Sequence, residues 1–498
     1  MKLERLILFL LFLLVLAAGV IYNEADRDLW HRLAMGRLTL ENGSIPLCDP
    51  FAYTETRIEW IDHEWGSGLL FWITCKKFGD IGLILLKDIL FFSTLILICR
   101  FRSIFLSLLL FFALLPGFVP TVRCQIFTYF FFALWLRLLD ASSATLDSKK
   151  IFSKLQLKIL AVFPLTTILW VNLHGGFVAG FGLIVLHAVD SMLRGKRPWF
   201  HLSAILVSIP FTLINPYGLK FWFYILEAAT MQRPLITEWQ SIRLFELNFN
   251  WLAIKIILIL LISIIVILVR RKCFRNLHGI VILAATLFLG IKHARHITFF
   301  AIAAMYYIIP ALECFNSEWT GKIFERTLRF FNIALLALVF SASIYILADS
   351  EWKIKVPNGL YPVKASEFIY ENGIEGNILV PLNWGSYVLW KLYPSCRVSL
   401  DGRYEEVYTN ETYRLVTDFA FGLPKWKECL EKFNHDIILL PADSPTNNLI
   451  HGLNSWKEVY RDETAVVYLK RDAEISGMKK NFSKNYFSSI EGYKRSIE

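Results

Sequence analysis

The segment Asn23-Glu24-Ala25-Asp26-Arg27-Asp28-Leu29-Trp30-His31 places three carboxylates and an imidazole within nine residues, directly after an apolar run that ends near residue 22. A carboxylate at the mouth of a membrane helix borders a low-dielectric slab, where it is costly unless paired or used. A second acidic group, Asp62-His63-Glu64-Trp65, follows in the same polar stretch. Two such carboxylates, Asp28 and Glu64, suit acid/base work or the holding of a cation at a lipid headgroup. His63 is either a proton donor or an interfacial histidine, while Asp26, Asp49, Glu55 and Glu59 read as solvated loop residues.

Basic and hydrogen-bonding residues form a complementary set. Arg123 in TVRCQ, Asn172 and His174 in VNLHGG, and Lys292, His293, Arg295 and His296 in IKHARH each stand at the end of an apolar run. Guanidinium groups are suited to phosphate because their planar fork matches its oxygens. Long cationic side chains at helix ends also simply snorkel to the interface. Three clusters on one membrane face exceed that need, so Arg123 and Arg295, with His174 and His296 beside them, are read as phosphate- or substrate-binding. Asn215-Pro216-Tyr217-Gly218 is a turn signal, and Glu238-Trp239 either contacts substrate or lies in a solvated loop.

The elements that must position these residues are membrane helices. Of the 498 residues 55% are hydrophobic and 15% aromatic, above the usual apolar share of roughly 45–50% in soluble domains. Apolar runs at 5–22, 81–99, 103–119, 126–140, 156–171, 176–193, 200–214, 251–269, 278–291, 297–313 and 331–348 predict about eleven spans. The first carries Lys2 and Arg5 before it and resembles a signal peptide, but its length favours a retained helix.

The net charge of +10 is concentrated in alternate connections: Arg100 and Arg102; Lys149, Lys150 and Lys154; Arg194, Lys196 and Arg197; Arg270, Arg271, Lys272 and Arg275; Lys322, Arg326 and Arg329. This is the positive-inside pattern and excludes a nucleic-acid reading of the charge. It predicts a multi-pass protein of the cytoplasmic membrane with its N-terminus inside. The polar set at 23–80, 120–125, 172–175, 215–250, 292–296 and beyond 349 then lies outside. Within loop 23–80, residues 64–78 read as an interfacial helix, because counting them as a span would place the basic loops outside.

Residues 1–348 thus form a transmembrane domain, 349–472 an extracytoplasmic α/β domain, and 473–498 a polar tail. In the α/β domain the pattern predicts a helix at 366–372, strands at NILVPL, YVLWKL and RVSLDGR, a helix over 409–431, and strands at DIILL and AVVYLKR. No nucleotide-binding loop is present. The eight cysteines show no metal-ligand spacing and read as structural, with the extracytoplasmic ones able to pair.

This organisation resembles the GT-C superfamily of polyprenyl-phosphate-dependent glycosyltransferases: a first helix running outward, an acidic motif directly after it, a long first outer loop, many further spans and an extracytoplasmic C-terminal domain. Asp28 with Trp30, His31 and Gly36, the stretch Ile45-Pro46 to Tyr53-Thr54, Trp60 with His63-Glu64-Trp65, and Trp384-Gly385-Ser386-Tyr387 with Arg397 to Arg403 look like a group of bacterial and archaeal membrane proteins placed near those enzymes. VPLNWGSYVLW is also similar to the WWDYG acceptor-recognition region of oligosaccharyltransferase, although it lacks the doubled Trp and the Asp.

The resemblance implies a membrane glycosyltransferase using a polyprenyl-phosphate sugar donor from within the lipid bilayer, with a glycan, lipid or protein acceptor. Asp28 matches the acidic residue that serves as base or positions the acceptor, and Glu64 matches a second acidic residue. Arg123 and Arg295 match phosphate-holding positions. Some relatives need a divalent metal ion, but no ligand set in this sequence demands one. Asp401 and Arg403 in LDGRY either face the membrane cleft as substrate contacts or pair to close a turn. The alternative is a non-catalytic protein that binds lipid-linked glycans as a subunit or assembly factor. A transporter fits less well, because few charges fall in mid-span and no matched halves are evident.

Overall fold

The computed structural model of the chain describes residues 2–21, 23–98, 103–143, 152–231, 236–243, 252–270, 279–316 and 322–471. The helices of its larger part are α1 (Lys2–Ile21), α2 (Arg27–Asn42), α3 (Trp65–Ile98), α4 (Ile104–Phe118), α5 (Gln125–Ser143), α6 (Lys154–Leu173), α7 (Phe177–Leu193), α8 (Trp199–Ser208), α9 (Leu219–Thr230), α10 (Leu252–Arg270), α11 (Ile280–Lys292), α12 (Ile297–Asn316) and α13 (Lys322–Asp349). There follow α14 (Val363–Glu371), β1 (Gly376–Leu379), α15 (Leu382–Leu392), β2 (Cys396–Val398), α16 (Tyr404–Val407), α17 (Asn410–Ala420), α18 (Trp426–Lys432), β3 (Ile437–Pro441), α19 (Thr446–His451), β4 (Trp456–Arg461) and β5 (Ala465–Lys470). The polar tail at 473–498 and the loop cations Arg100, Arg102, Lys149, Lys150, Arg271, Lys272 and Arg275 lie outside the described residues.

Among the described residues, five helices are long and apolar enough to cross a membrane, at Leu3–Ile21, Trp65–Ile98, Gln125–Ser143, Lys154–Leu173 and Phe330–Asp349. That is fewer than the eleven spans expected from hydropathy. Ile104–Phe118, Phe177–Leu193, Trp199–Leu213, Ile254–Ile267 and Ile280–Lys292 are apolar but only 10–17 residues long, short of the ~20 needed to cross a ~30 Å hydrocarbon core without help. Hydropathy counts apolar residues, whereas local chemistry sets where a helix stops. After α8, for example, the chain tightens into a 3-10 turn over Ile209–Leu213 that has proline at its start, because proline cannot donate the next helical bond.

The chain packs as two compact units. The first contains residues up to Asn23 and Ile84–Trp352. Several of its buried polar groups pair within the unit, as a lipid-facing bundle favours. Trp135 and Trp170 meet edge to face at 5.1 Å, and their indole N–H groups donate to Thr166 Oγ1 at 2.9 Å and Thr128 Oγ1 at 2.8 Å. Lys87, buried in α3, donates to the Val119 carbonyl at 2.8 Å. Gly19 of α1 leaves room for the neighbouring Asp88, whose carboxylate occupies the space a Cβ would fill.

The second unit joins Glu24–Leu83 to the described residues from Lys353 onward. It is built on a five-stranded sheet of order β2-β1-β3-β5-β4. β1 runs parallel to β2 and β3, and β5 runs antiparallel to β3 and β4. The first outer loop runs along the β2 edge: Val398 N–H donates to the Phe51 carbonyl at 3.0 Å, Tyr53 N–H to the Val398 carbonyl at 3.3 Å and Arg57 N–H to the Val407 carbonyl at 2.7 Å. An edge that would otherwise be open is thereby covered.

Several expectations for this unit are corrected. YVLWKL is the C-terminal part of α15 and not a strand. Parallel β1 and β2 need a crossover between them, and α15 is that crossover. It is buried on nearly all sides, which erases the periodicity that separates helix from strand in a short apolar run. RVSLDGR is strand only as far as Val398. The helix expected over 409–431 is two helices, α17 and α18, separated where Gly422 takes φ 62°. α3 is likewise divided at Gly79, with φ 61° and ψ −152°, into helical segments at 65–78 and 80–98.

α2 lies on α15. Trp30 meets Tyr361 and Tyr387 edge to face at 6.0 and 5.3 Å, and the Arg37 guanidinium stacks 5.0 Å from Trp390. Gly385 allows the backbone of α15 to meet the Leu400 carbonyl, which a Cβ at that position would strike. Backbone cannot give way as a side chain can, so Gly385→Ala is expected to cost about 1–3 kcal/mol. Thermal unfolding of the detergent-solubilised protein checks this against Gly359→Ala, where a Cβ meets nothing within 4 Å.

Candidate functional site

Asp28 is fixed by the start of α2. Asp26 is the N-cap of that helix, and its carboxylate accepts from the Asp28 N–H at 3.0 Å. This cap satisfies a helix-end donor and places the Asp28 charge in the first turn, at the positive end of the helix dipole. A Cβ on Gly402 would sit 2.9 Å from Asp28 Oδ1, 3.0 Å from Ser386 Oγ and 3.4 Å from His31 Nδ1. Three polar groups from α2 and α15 therefore converge on one glycine. Gly402 N–H donates to Ser386 Oγ at 3.0 Å, and Ser386 Oγ lies 3.1 Å from His31 Nδ1. Burial, helped by the Arg32 charge, pushes His31 down to about 3. The imidazole is thus neutral, and its Nδ1 shares a hydrogen bond with the Ser386 hydroxyl.

One turn further along α2, Arg32 anchors a buried charge cluster. It pairs with Asp62, with Glu64 at 2.7 Å and with Glu406 at 3.5 Å. His63 lies 3.1 Å from Glu406 and 3.5 Å from Glu64, and the Trp60 indole donates to Glu406 at 3.3 Å. Burial opposes charge on His63, but Glu406 and Glu64 outweigh it and hold the imidazolium up to about 10. Burial also raises Glu406, yet His63 and Arg32 bring it down to about 2. For Asp62 burial dominates, and its carboxyl titrates above the usual range despite Arg32. Glu64 and His63 thus belong to an ion-pair network with Arg32 and Glu406.

Asp401 and Arg403 form a second buried network in the same unit. Arg403 donates to both oxygens of Asp401 at 2.8 and 2.6 Å, and to Asp49 at 2.6 Å. Tyr408 donates to Asp401 at 2.7 Å, and Asp49 accepts the Phe51 and Ala52 N–H groups at 3.2 and 2.6 Å. The guanidinium stacks 5.0 Å from Phe51 and 4.8 Å from Trp60. The side chains of Arg403, Asp401 and Asp49 have no exposed surface. Of the two readings of LDGRY, the pairing that closes a turn is the one observed, extended by a third member from the first outer loop.

The basic residues lie in the first unit. Arg123 grips Glu238 with both terminal nitrogens, at 3.0 and 2.9 Å, and Arg295 stands 3.9 Å from the same carboxylate. Burial raises Glu238, but the two arginines overcome it and hold the carboxyl below its ordinary range. His296 packs 5.7 Å from Trp239, and burial with the Arg295 charge lowers it to about 4. His174 is buried. Its Nδ1 lies 2.9 Å from Thr128 Oγ1 and accepts the Gly176 N–H at 2.8 Å. Arg123 and Arg295 are therefore brought together, with His296 and His293 alongside Trp239. Asp28, His63, Glu64, Asp401 and Arg403 belong to the other unit.

The partners that sequence reading missed are Arg32, Asp49, Ser386, Glu406 and the carboxylate of Glu238. Asp49 and Glu406 had no local signal, since their counterparts are 354 and 374 residues away. Ser386 was within a motif already singled out. Among the described residues no three His, Cys, Asp or Glu side chains are grouped to hold a metal ion, and Asp62, Glu64 and Glu406 are neutralised by Arg32 and His63.

Two measurements probe these networks. Removing one partner of a buried ion pair strands the other, so Arg403→Met is expected to cost about 3–5 kcal/mol, read as a lowered unfolding midpoint. His63 is held above its unfolded value of about 6.5, so its contribution is complete below that pH and is lost as pH rises towards 10. The melting temperature should therefore fall between pH 7 and 10, and His63→Gln should flatten that decline.

At fold level the chain is similar to the apo crystal structure of the Archaeoglobus fulgidus oligosaccharyltransferase, with a TM-score of 0.61 and 13% identity over 95% of this chain and 75% of that one. It is also similar to ArnT from Cupriavidus metallidurans bound to undecaprenyl phosphate, with a TM-score of 0.54 and 11% identity over 95% of this chain and 98% of that one. No protein-family model and no curated protein sequence matches the chain. The likeness is one of fold alone: a largely α-helical architecture with several long apolar helices and a C-terminal β-containing region.

Proposed function

We propose that the protein is a membrane glycosyltransferase that moves a sugar from a polyprenyl-phosphate-linked donor to an acceptor at the outer face of the membrane. The observation that carries this reading is the setting of Asp28: a carboxylate in the first turn after α1, fixed by the Asp26 cap and set against Gly402, in a fold shared with an oligosaccharyltransferase and with an ArnT bound to undecaprenyl phosphate.

In this reading the acceptor hydroxyl attacks the anomeric carbon, the bond from that carbon to the phosphate oxygen breaks, and the configuration inverts. Asp28 orients the hydroxyl and receives its proton. A positioned carboxylate suits this task because it can accept the hydroxyl proton as the new bond forms and needs no other co-reactant. Arg123 and Arg295 hold the departing phosphate, whose charge grows as the bond breaks and is stabilised most by preorganised cations. His174 and His296, also in the first unit, serve as further substrate contacts in this reading. Glu64 and His63 support Asp28 indirectly, by fixing Arg32 one turn along α2. Asp401 and Arg403 serve as scaffold. The carboxylates nearest to a metal-binding arrangement are already committed to Arg32 and His63, so no step is routed through a metal ion. The lipid-linked donor is reached from the outer leaflet, consistent with a cytoplasmic N-terminus and an extracytoplasmic C-terminal domain.

The test is transfer of labelled sugar from a polyprenyl-phosphate donor by purified protein, with the host membrane fraction as acceptor source. Asp28→Asn should lower turnover by about 10²–10⁴-fold, the usual range for a general base, while donor binding is retained. Equal turnover in the two proteins would remove Asp28 from the chemistry. Donor binding without transfer by either protein would favour the non-catalytic subunit instead.

A further inference from the structure

The Arg123–Arg295 pair already holds an anion. Arg123 grips Glu238 through two parallel bonds, at 3.0 and 2.9 Å, the fork-on-fork geometry that a phosphate reproduces. Arg295 stands 3.9 Å from the same carboxylate. A single carboxylate thus bridges both guanidinium groups, and a phosphate brings more charge and more acceptor oxygens to the same place. The three side chains are about a quarter exposed, at 27%, 24% and 22% for Arg123, Arg295 and Glu238. They are thus reachable by a ligand without unpacking the bundle.

The backbone that carries Glu238 is fastened independently of the ion pair. Gln240 accepts the Ala294 N–H at 3.1 Å, Ile242 N–H donates to the Ile291 carbonyl at 2.8 Å, and the Trp239 carbonyl lies 2.6 Å from His293 Nδ1. The Trp239 ring packs 5.4 Å from the Arg295 guanidinium and 5.5 and 5.7 Å from His293 and His296. Trp239 and its neighbours therefore stay docked on the connection between α11 and α12, while the Glu238 side chain is free to rotate about its own bonds. The pair is bidentate and about a quarter exposed, so an incoming anion has to replace both of its hydrogen bonds to displace the carboxylate.

We infer that Glu238 is a built-in competitor at the anion seat of Arg123 and Arg295, and that a phosphate group binds there by displacing its carboxylate. The inference rests on the proposed phosphate role of the two arginines and adds a regulation to it: the seat is self-occupied at rest, and only a ligand that outbids a carboxylate opens it. A carboxylate-bearing metabolite or a weakly charged headgroup is thereby rejected, which is selectivity by competition.

The experiment is calorimetric titration of the full-length protein in nanodiscs with geranyl phosphate and, separately, with inorganic phosphate. Glu238→Gln removes the charge but keeps the shape, and should bind geranyl phosphate about tenfold more tightly than the wild type, whereas Arg123→Gln and Arg295→Gln should lose binding. Glu238→Asp, with a shorter reach and an intact charge, should fall between wild type and Glu238→Gln and serves if the latter does not fold. Equal tightening for inorganic phosphate assigns the seat to phosphate alone, and tightening for geranyl phosphate only assigns it to a lipid headgroup; both support the competition. Wild-type or weaker affinity in both Glu238 variants, with binding lost in the arginine variants, overturns the competition but leaves the donor reading standing. Unchanged binding in the arginine variants, or no binding by any protein, overturns both.

Discussion

A guanidinium sealed from water sets the terms for the sheet-bearing unit. Arg403 has no exposed surface, and the cost of burying an ion is recovered only when geometry and hydrogen bonding are nearly complete. Asp401 supplies two oxygens from the same turn, and Asp49 supplies another from 354 residues away in sequence. Phe51 and Trp60 cover its faces. The first outer loop must therefore return to the end of β2 for the arginine to be neutralised. That return lays residues 51–57 along the edge of the sheet and brings Trp60 and the following acidic residues to α16.

The second buried cluster follows from the first. Once residues 49–60 are fixed on the sheet, Asp62, His63 and Glu64 are delivered to Arg32 of α2 and Glu406 of α16. α2 is thus held from one side by charge and from the other by its aromatic packing on α15. Asp28 belongs to this clamped helix, and its carboxylate meets a glycine because no larger residue leaves room. Supports that are themselves locked fix the geometry of its carboxylate, which the proposed proton transfer requires.

The first unit solves a different problem. Its interior has to pair polar groups without water, and bonds between helices such as Trp135 to Thr166 and Trp170 to Thr128 do part of that. Lys87 and Asp88 are buried within α3, while Arg123, Glu238 and Arg295 share one partly exposed cluster. The Arg403 network of the sheet-bearing unit is sealed from water by comparison.

The sequence by itself determined that the chain is a polytopic helical membrane protein ending in an α/β region, because apolar runs and loop charge are properties of local composition. It also determined which short motifs mattered: Asp28, His31, the Asp62-His63-Glu64 triplet, WGSY and LDGR all fall in the networks described. Only the tertiary structure decided what each one does. Asp401 and Arg403 read equally well as substrate contacts or as a closed turn until Asp49 arrived from the first outer loop. YVLWKL read as a strand because a fully buried helix has no periodicity to reveal it. Against eleven apolar runs, five helices of spanning length are found among the described residues, since helix ends are set by proline, caps and packing, which hydropathy does not register. Glu238 read as either a substrate contact or a solvated loop residue, and it became the partner of two arginines because electrostatic pairing acts through space and takes no account of separation along the chain.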